Sequence, residues 1–208
     1  MRLPAFLTAA MAILAFSPCI ARANDSSKEL VRQAQEHEAR HETDLALRRY
    51  TEALAIDPTD GDAYLGLGAL RMRIGQAREA EQVFSTALEH VPALAAALAG
   101  RAHARRQLGA RDLADRDLAD YARATESTTA WHELARWYGE DGNFAAEVSV
   151  WRGLRALAEA HGDEALGKEA RTEIRALIAL AKPIDPAAFP ASEDLTRRVL
   201  ASIARRGG

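Results

Sequence analysis

Pro58 and Pro92 lie 34 residues apart, and the residues before and after them repeat at the same offset. Ile56-Asp57-Pro58 and His90-Val91-Pro92 both close an Ala-rich stretch. Tyr50-Thr51-Glu52-Ala53-Leu54 aligns with Phe84-Ser85-Thr86-Ala87-Leu88. Tyr64, Leu67 and Gly68 align with Leu98, Arg101 and Ala102 and, one residue early, with Trp131, Leu134 and Ala135. Gly75, Gly109 and Gly142 recur at spacings of 34 and 33. A fixed period of this length decides the fold ahead of any local propensity. Each period is one small unit that cannot bury its apolar face alone, so neighbours must stack. Ala is the commonest residue and aromatics are only 6%, which favours close-packed helices over a β-sandwich.

The columns resemble the tetratricopeptide repeat: a large residue, Leu-Gly, a small Ala, an aromatic, another Ala and a Pro. The second unit carries the full set in Tyr64, Leu67, Gly68, Ala80, Phe84, Ala87 and Pro92. The first has Leu30, Ala34, Ala46, Tyr50, Ala53 and Pro58, and the third has Leu98, Ala102, Ala114 and Leu118, with Tyr121 and Glu126 departing from the pattern. A degenerate fourth has Trp131, Leu134, Ala135, Tyr138 and Trp151, with Glu147 where Ala is usual. The resemblance implies an all-α, right-handed α-solenoid of about four helix pairs, at residues 27–60, 61–94, 95–127 and 128–160 within 24–160. In that fold the small residues let paired helices approach, and the large ones (Tyr50, Phe84, Leu118, Trp151) fill the seam with the next unit.

After Gly162 the period stops. Leu166, Ala170, Ile174, Leu177, Ile178 and Ala181 make one helical stripe behind Asp163, a good N-cap, so residues 161–182 read as a capping helix over the open apolar end of the array. Pro183, Pro186 and Pro190 make 183–190 an extended spacer, and 191–208 reads as a last amphipathic helix with Leu195, Val199, Leu200 and Ile203 on one face. That helix suits packing on the array, docking a partner or lying on a membrane surface.

The first residues read as a leader. Met1-Arg2 is a positive start, Leu3 to Phe16 is apolar, and Ala21-Arg22-Ala23 has the small-x-small order of a cleavage site, making 1–23 a signal peptide of an exported protein. The apolar run is too short for the roughly 20 residues that cross a bilayer. Cys19 invites lipidation, but Phe16-Ser17-Pro18 before it match a lipoprotein site poorly. After cleavage the mature chain has no cysteine, and its charge moves from −3 to 25 − 30 = −5 because Arg2 and Arg22 leave.

Enzyme chemistry lacks parts. His37-Glu38-Ala39-Arg40-His41 is a literal H-E-x-x-H in a helical segment, the spacing with which zinc peptidases bind metal and polarise water. The longer signature wants Gly at Asp44 and His at Leu47, and a helical array leaves no substrate-binding sheet. The match reads as chance, and no metal or cofactor is expected. There is no Gly-rich phosphate loop, no nucleophile elbow, and no basic excess to suit nucleic acid.

Members of this family bind peptides along the concave surface lined by the first helix of each pair. Here that face takes Val31, Gln35 and Glu38, then Leu65, Ala69, Met72 and Arg73, then Ala99, His103, Arg106 and Gln107, then His132, Arg136 and Glu140. The groove residues singled out are Leu65, Met72, Arg73, His103, Arg106, His132 and Arg136, with the three Arg forming a basic stripe suited to carboxylates. The Lys and Asn of the family's two-carboxylate clamp are replaced by Val31, Gln35 and Gly66. The expected function is a non-catalytic interaction scaffold or assembly factor of a bacterial envelope, periplasmic or extracellular, holding a protein or peptide partner with an acidic segment. The alternative is a lipid-tethered or self-associating structural spacer, and a homo-oligomer is compatible with either. The helix-crossing role of Ala80 predicts that Ala80→Leu overpacks the core and costs about 1–3 kcal/mol; calorimetry showing an unchanged melting temperature would contradict it.

Overall fold

The computed structural model describes residues 25–181; residues 1–23 with Cys19, read above as a leader, and 183–190 and 191–208, read as a spacer and a last helix, lie outside the described residues. The described residues form nine helices and no strand. They are α1 (residues 25–39), α2 (Thr43–Ile56), α3 (Gly61–Arg73), α4 (Ala77–His90), α5 (Ala95–Gln107), α6 (Arg111–Thr125), α7 (Thr128–Glu140), α8 (Phe144–His161) and α9 (Glu164–Ala181). The fold class read from the sequence, an all-α chain of consecutively packed helix pairs with a further C-terminal helix, is the one the structure has. The chain divides into two compact units, one ending at Ala110 and one starting at Arg111.

In the first unit, two apolar clusters are built from the repeat columns. Val31 and Ala34 of α1, Ala46, Tyr50 and Ala53 of α2, and Ala63, Leu67 and Leu70 of α3 make the first, with Leu30 half-buried against it. Tyr64 of α3, Ala80, Phe84 and Ala87 of α4, and Ala97 and Ala104 of α5 make the second. Ala102 is fully buried and Pro92 is exposed in the turn after α4. Val31 is a correction: expected on the partner face, it is buried in the first cluster, because its β-branched side chain lies on the same flank of α1 as Ala34.

The seating of two rings fixes how successive pairs meet. A Cβ added at Gly66 would collide with the Tyr50 ring, and one added at Gly100 would collide with the Phe84 ring. Gly66 and Gly100 are 34 residues apart, as are Tyr50 and Phe84, so one contact occurs twice: the aromatic of one pair rests on helix backbone of the next. Gly68 also makes room for Phe84, since its own Cβ would strike the same ring. Each buried ring contributes about 2–3 kcal/mol of apolar transfer. Glycine within a helix costs up to about 1 kcal/mol, so the ring contact outweighs it.

Polar contacts set the ends. Buried Ser27 donates to the Ala53 carbonyl at 3.2 Å and to Asp60 Oδ2 at 2.5 Å, tying α1 to the turn before α3. Asp60 Oδ1 accepts from the Ala63 amide at 3.0 Å, capping α3. The caps of α7 and α8 are Ser127 and Asn143. Asp163 does the same for α9 through the Leu166 amide at 3.0 Å.

The turn inside each pair has one geometry. Gly75, Gly109 and Gly142 have φ of 78°, 79° and 69°, and the next residue's amide reaches back to Arg71, Arg105 and Tyr138. Such a closing turn needs a left-handed residue. At the same register in the first pair stands His41, with φ 59° and the Glu42 amide bonded to the His37 carbonyl at 2.9 Å. A side chain there carries strain that glycine avoids.

In the second unit, Ala114 and Leu118 of α6, Trp131, Leu134, Ala135 and Trp137 of α7, and Val148, Val150, Trp151 and Leu154 of α8 are buried. Leu166, Ala170, Ile174 and Leu177 of α9 are buried, and α9 packs on α8. Glu147 occupies the column where the other pairs have Ala, and a Cβ on Gly139 would lie 3.1 Å from its carboxylate, so the glycine leaves it room. Burial pushes the Glu147 carboxyl above its usual range; the Trp151 indole opposes this and the nearby Glu173 charge adds to it. A raised folded-state value means stability present at low pH and lost as pH rises through that value.

Two outcomes follow. His41→Gly relieves the left-handed strain and raises stability by about 1 kcal/mol, a shift of about 2–4 °C in melting temperature; a lower melting temperature would show that the histidine is not strained. Melting curves taken upward from pH 4.5, the ordinary value of a glutamate, show wild type losing stability relative to Glu147→Gln. Parallel pH profiles for the two proteins would remove Glu147 from the account.

Candidate functional site

The faces of α3 and α5 that turn away from the buried stripes carry five of the seven groove residues. On α3, residues 63, 64, 67, 68 and 70 are buried, which leaves Leu65, Ala69, Met72 and Arg73 toward the other side. Leu65 and Met72 are half-buried and pack against the second cluster, so only part of each side chain meets solvent. On α5, His103 is exposed and Arg106 is half-buried, and both make polar interactions within the protein.

Arg73 is not an isolated cation. Its Nη2 donates to Glu38 Oε2, and the Tyr50 hydroxyl donates to Glu38 Oε1 at 2.6 Å. One carboxylate thus joins α1, α2 and α3. The Glu38 side chain is 19% exposed, while that of Arg73 is 59% exposed. Burial and the Glu38 carboxylate push the Tyr50 phenol well above its ordinary range, so it remains a donor at all physiological pH.

In the second unit, Arg136 on α7 is 62% exposed and lies between Glu133 at 3.1 Å and Glu140 at 3.4 Å. His132 Nδ1 lies 2.7 Å from the Thr128 carbonyl, its ring stands edge-on to Trp151 with centroids 5.2 Å apart, and Nε2 lies 3.4 Å from Glu169 of α9. His132 therefore faces α8 and α9.

The basic stripe read from Arg73, Arg106 and Arg136 has carboxylates beside two of its members. Arg73 and Arg136 each have a glutamate beside them, because three- and four-residue spacing on one helix (Glu133, Arg136, Glu140) and packing between helices (Glu38, Arg73) place acid next to base. The first spacing was visible in the sequence. The second, 35 residues apart, depends on how the pairs stack, and the reading passed over Glu38 as an ion-pair partner. The reading also left out Gly100 and Trp137; the 34-residue step from Gly66 to Gly100 was the available signal for the first.

The H-E-x-x-H segment does not form a metal site of the peptidase kind. Helix α1 stops at residue 39, His41 sits in the left-handed turn, His37 Nδ1 is bonded to Glu42 at 2.6 Å, and Glu38 is held by Tyr50 and Arg73. The expected single helical face holding both histidines is absent because the turn of the repeat begins inside the motif. Among the described residues no group of three or more His, Cys, Asp or Glu is placed to hold a metal ion, and no helix is long and apolar enough to cross a membrane.

Comparison with known proteins agrees with this architecture. Residues 38–105 match the family model of the tetratricopeptide repeat. No curated protein matches the sequence significantly. Among solved structures, the chain is similar to YrrB, described as a tetratricopeptide protein with an unusual peptide-binding site, at 17% identity and TM-score 0.58, covering 93% of this chain and 98% of that one. It is similar to a tetratricopeptide repeat protein from Parabacteroides merdae at 15% identity and TM-score 0.59, covering 87% and 78%. It is similar to the first such domain of Spaghetti (RPAP3), solved bound to an HSP90 peptide, at 18% identity and TM-score 0.54, covering 57% and 95%. At these identities the structures share the fold, and the family match places tetratricopeptide repeats at residues 38–105.

Proposed function

We propose that this protein is a non-catalytic scaffold that holds a protein partner on the faces of its first helices, and that it works outside the cytoplasm of a bacterium. The observation that carries the reading is the contrast along α3. One flank is locked into two cores by Tyr64, Leu67 and Leu70, while the other presents Leu65, Met72 and Arg73, apolar surface beside a guanidinium on a rigid helix. A preformed surface of this kind loses little entropy when a segment docks. Two of the structurally similar proteins are described by their bound peptide or peptide-binding site, which supports the same use of the fold here. The apolar, small-residue leader of residues 1–23 supports export to the periplasm or beyond. On this reading the exposed Arg73 guanidinium beside Leu65 and Met72 suits a partner segment with acidic residues set next to apolar ones.

Cross-linking and co-purification of the tagged protein from the extracytoplasmic fraction tests this directly. The triple variant Arg73→Glu, Arg106→Glu and Arg136→Glu is expected to lose about tenfold in capture of the recovered partner at low salt and less at high salt. Equal capture by the folded variant and wild type would sink the reading.

A further inference from the structure

We propose that residues 191–208 of this chain dock on the apolar end of the second unit, the end at which α9 finishes, and cover Phe144, Ile178 and Leu180.

The second unit has two unlike ends. Helices α6 to α9 follow one another through short turns and pack in sequence, so their directions alternate. The starts of α6 and α8 and the last turns of α7 and α9 therefore share one end. Among the described residues of this unit, the exposed large hydrophobic side chains are Leu113, Phe144, Ile178 and Leu180. Leu113 lies in the first turn of α6, Phe144 opens α8, and the other two lie in the last turn of α9, so all four sit at that end. The opposite end, at residues 125–129 and 161–165, exposes no large hydrophobic side chain. Such side chains need no explanation singly, but a group of them at one end marks a surface that is covered.

The chain itself supplies the occupant. It leaves α9 at Ala181, next to Leu180, and the stripe of Leu195, Val199, Leu200 and Ile203 follows a short way on. A helix of that length is marginal in water by itself, so the stripe needs an apolar surface. Residues 183–190, read above as an extended spacer, span about 25 Å. Three steps between packed helices cover about 24–30 Å, so the stripe can reach across this end. A tether this short holds it at roughly millimolar effective concentration, which favours it over a second copy of the chain in dilute solution. The charges match as well. In its first and last turns and at residues 141–143, this end carries Asp112, Glu140, Asp141 and Glu147 against Arg111. The segment carries Arg197, Arg198, Arg205 and Arg206 against Glu193 and Asp194. Opposite net charge steers the segment to this end, and apolar burial holds it there.

Hydrogen–deuterium exchange of the full chain, read by mass spectrometry beside a synthetic 191–208 peptide, tests this. Amides of residues 195–203 are expected to exchange about 30-fold more slowly in the protein than in the peptide. Phe144→Gln with Leu180→Gln is expected to remove that protection and leave the amides of α7 unchanged. The reciprocal pair, Val199→Asp with Ile203→Asp, leaves the described helices untouched and is expected to speed exchange in the last turn of α9. Exchange of 195–203 at the peptide's rate in wild type overturns the proposal, as does protection that survives Phe144→Gln with Leu180→Gln. Protection that falls on dilution, together with a dimer-to-monomer shift in sedimentation, assigns the surface to a second copy and overturns it as well. If Phe144→Gln with Leu180→Gln does not fold, the reciprocal pair decides: unchanged exchange in the last turn of α9 refutes docking there.

Discussion

An aromatic ring resting on bare helix backbone is the contact on which this fold depends. Tyr50 and Phe84 project from the second helix of one pair and lie where a Cβ at Gly66 or Gly100 of the next pair would be. The contact works only if both partners are present. A side chain on the glycine holds the helices apart, and a smaller residue in place of the ring leaves a cavity. Because the same two columns recur after 34 residues, the spacing between neighbouring pairs in the first unit is set twice by the same means.

Function follows from that spacing. With Tyr50 seated, its hydroxyl has one place to go, and Glu38 of the preceding helix takes it. Glu38 then draws Arg73 of α3 into an ion pair, so three helices meet at one carboxylate. The pairing of Arg73 with Glu38 is a consequence of stacking. Within the H-E-x-x-H string the glutamate accepts from Tyr50 and Arg73, and one of the histidines occupies the left-handed turn that other pairs give to glycine.

Periodicity made the fold legible, because the columns Ala46, Ala80 and Ala114, and Tyr50 and Phe84, record packing that each pair repeats. The helix-pair architecture followed from the resemblance that these columns carry, and the stripe of α9 could be read from spacing. What spacing could not supply was pairing between side chains on different helices. Val31 looked like a partner-facing residue by position, yet its branched apolar side chain is buried beside Ala34. Arg73, Arg106 and Arg136 read as a basic stripe, and only the stacked helices bring Glu38 to the first. His132 was placed on the groove by its register, and spacing gave no sign of its contacts with Trp151 and Glu169. The Gly66 and Gly100 columns were visible, but a glycine inside a helix declares its purpose only when the ring above it is seen.

A double-mutant cycle between Phe84 and Gly100 tests the central contact most directly. Chemical unfolding of wild type, Gly100→Ala, Phe84→Leu and the double variant isolates the coupling between ring and backbone. The account predicts that Gly100→Ala costs about 2 kcal/mol when Phe84 is present. With Leu at position 84 the same change is neutral or stabilising by up to about 1 kcal/mol, as helix propensity alone would give. Additive effects within about 0.5 kcal/mol, with Gly100→Ala stabilising in both backgrounds, would contradict it.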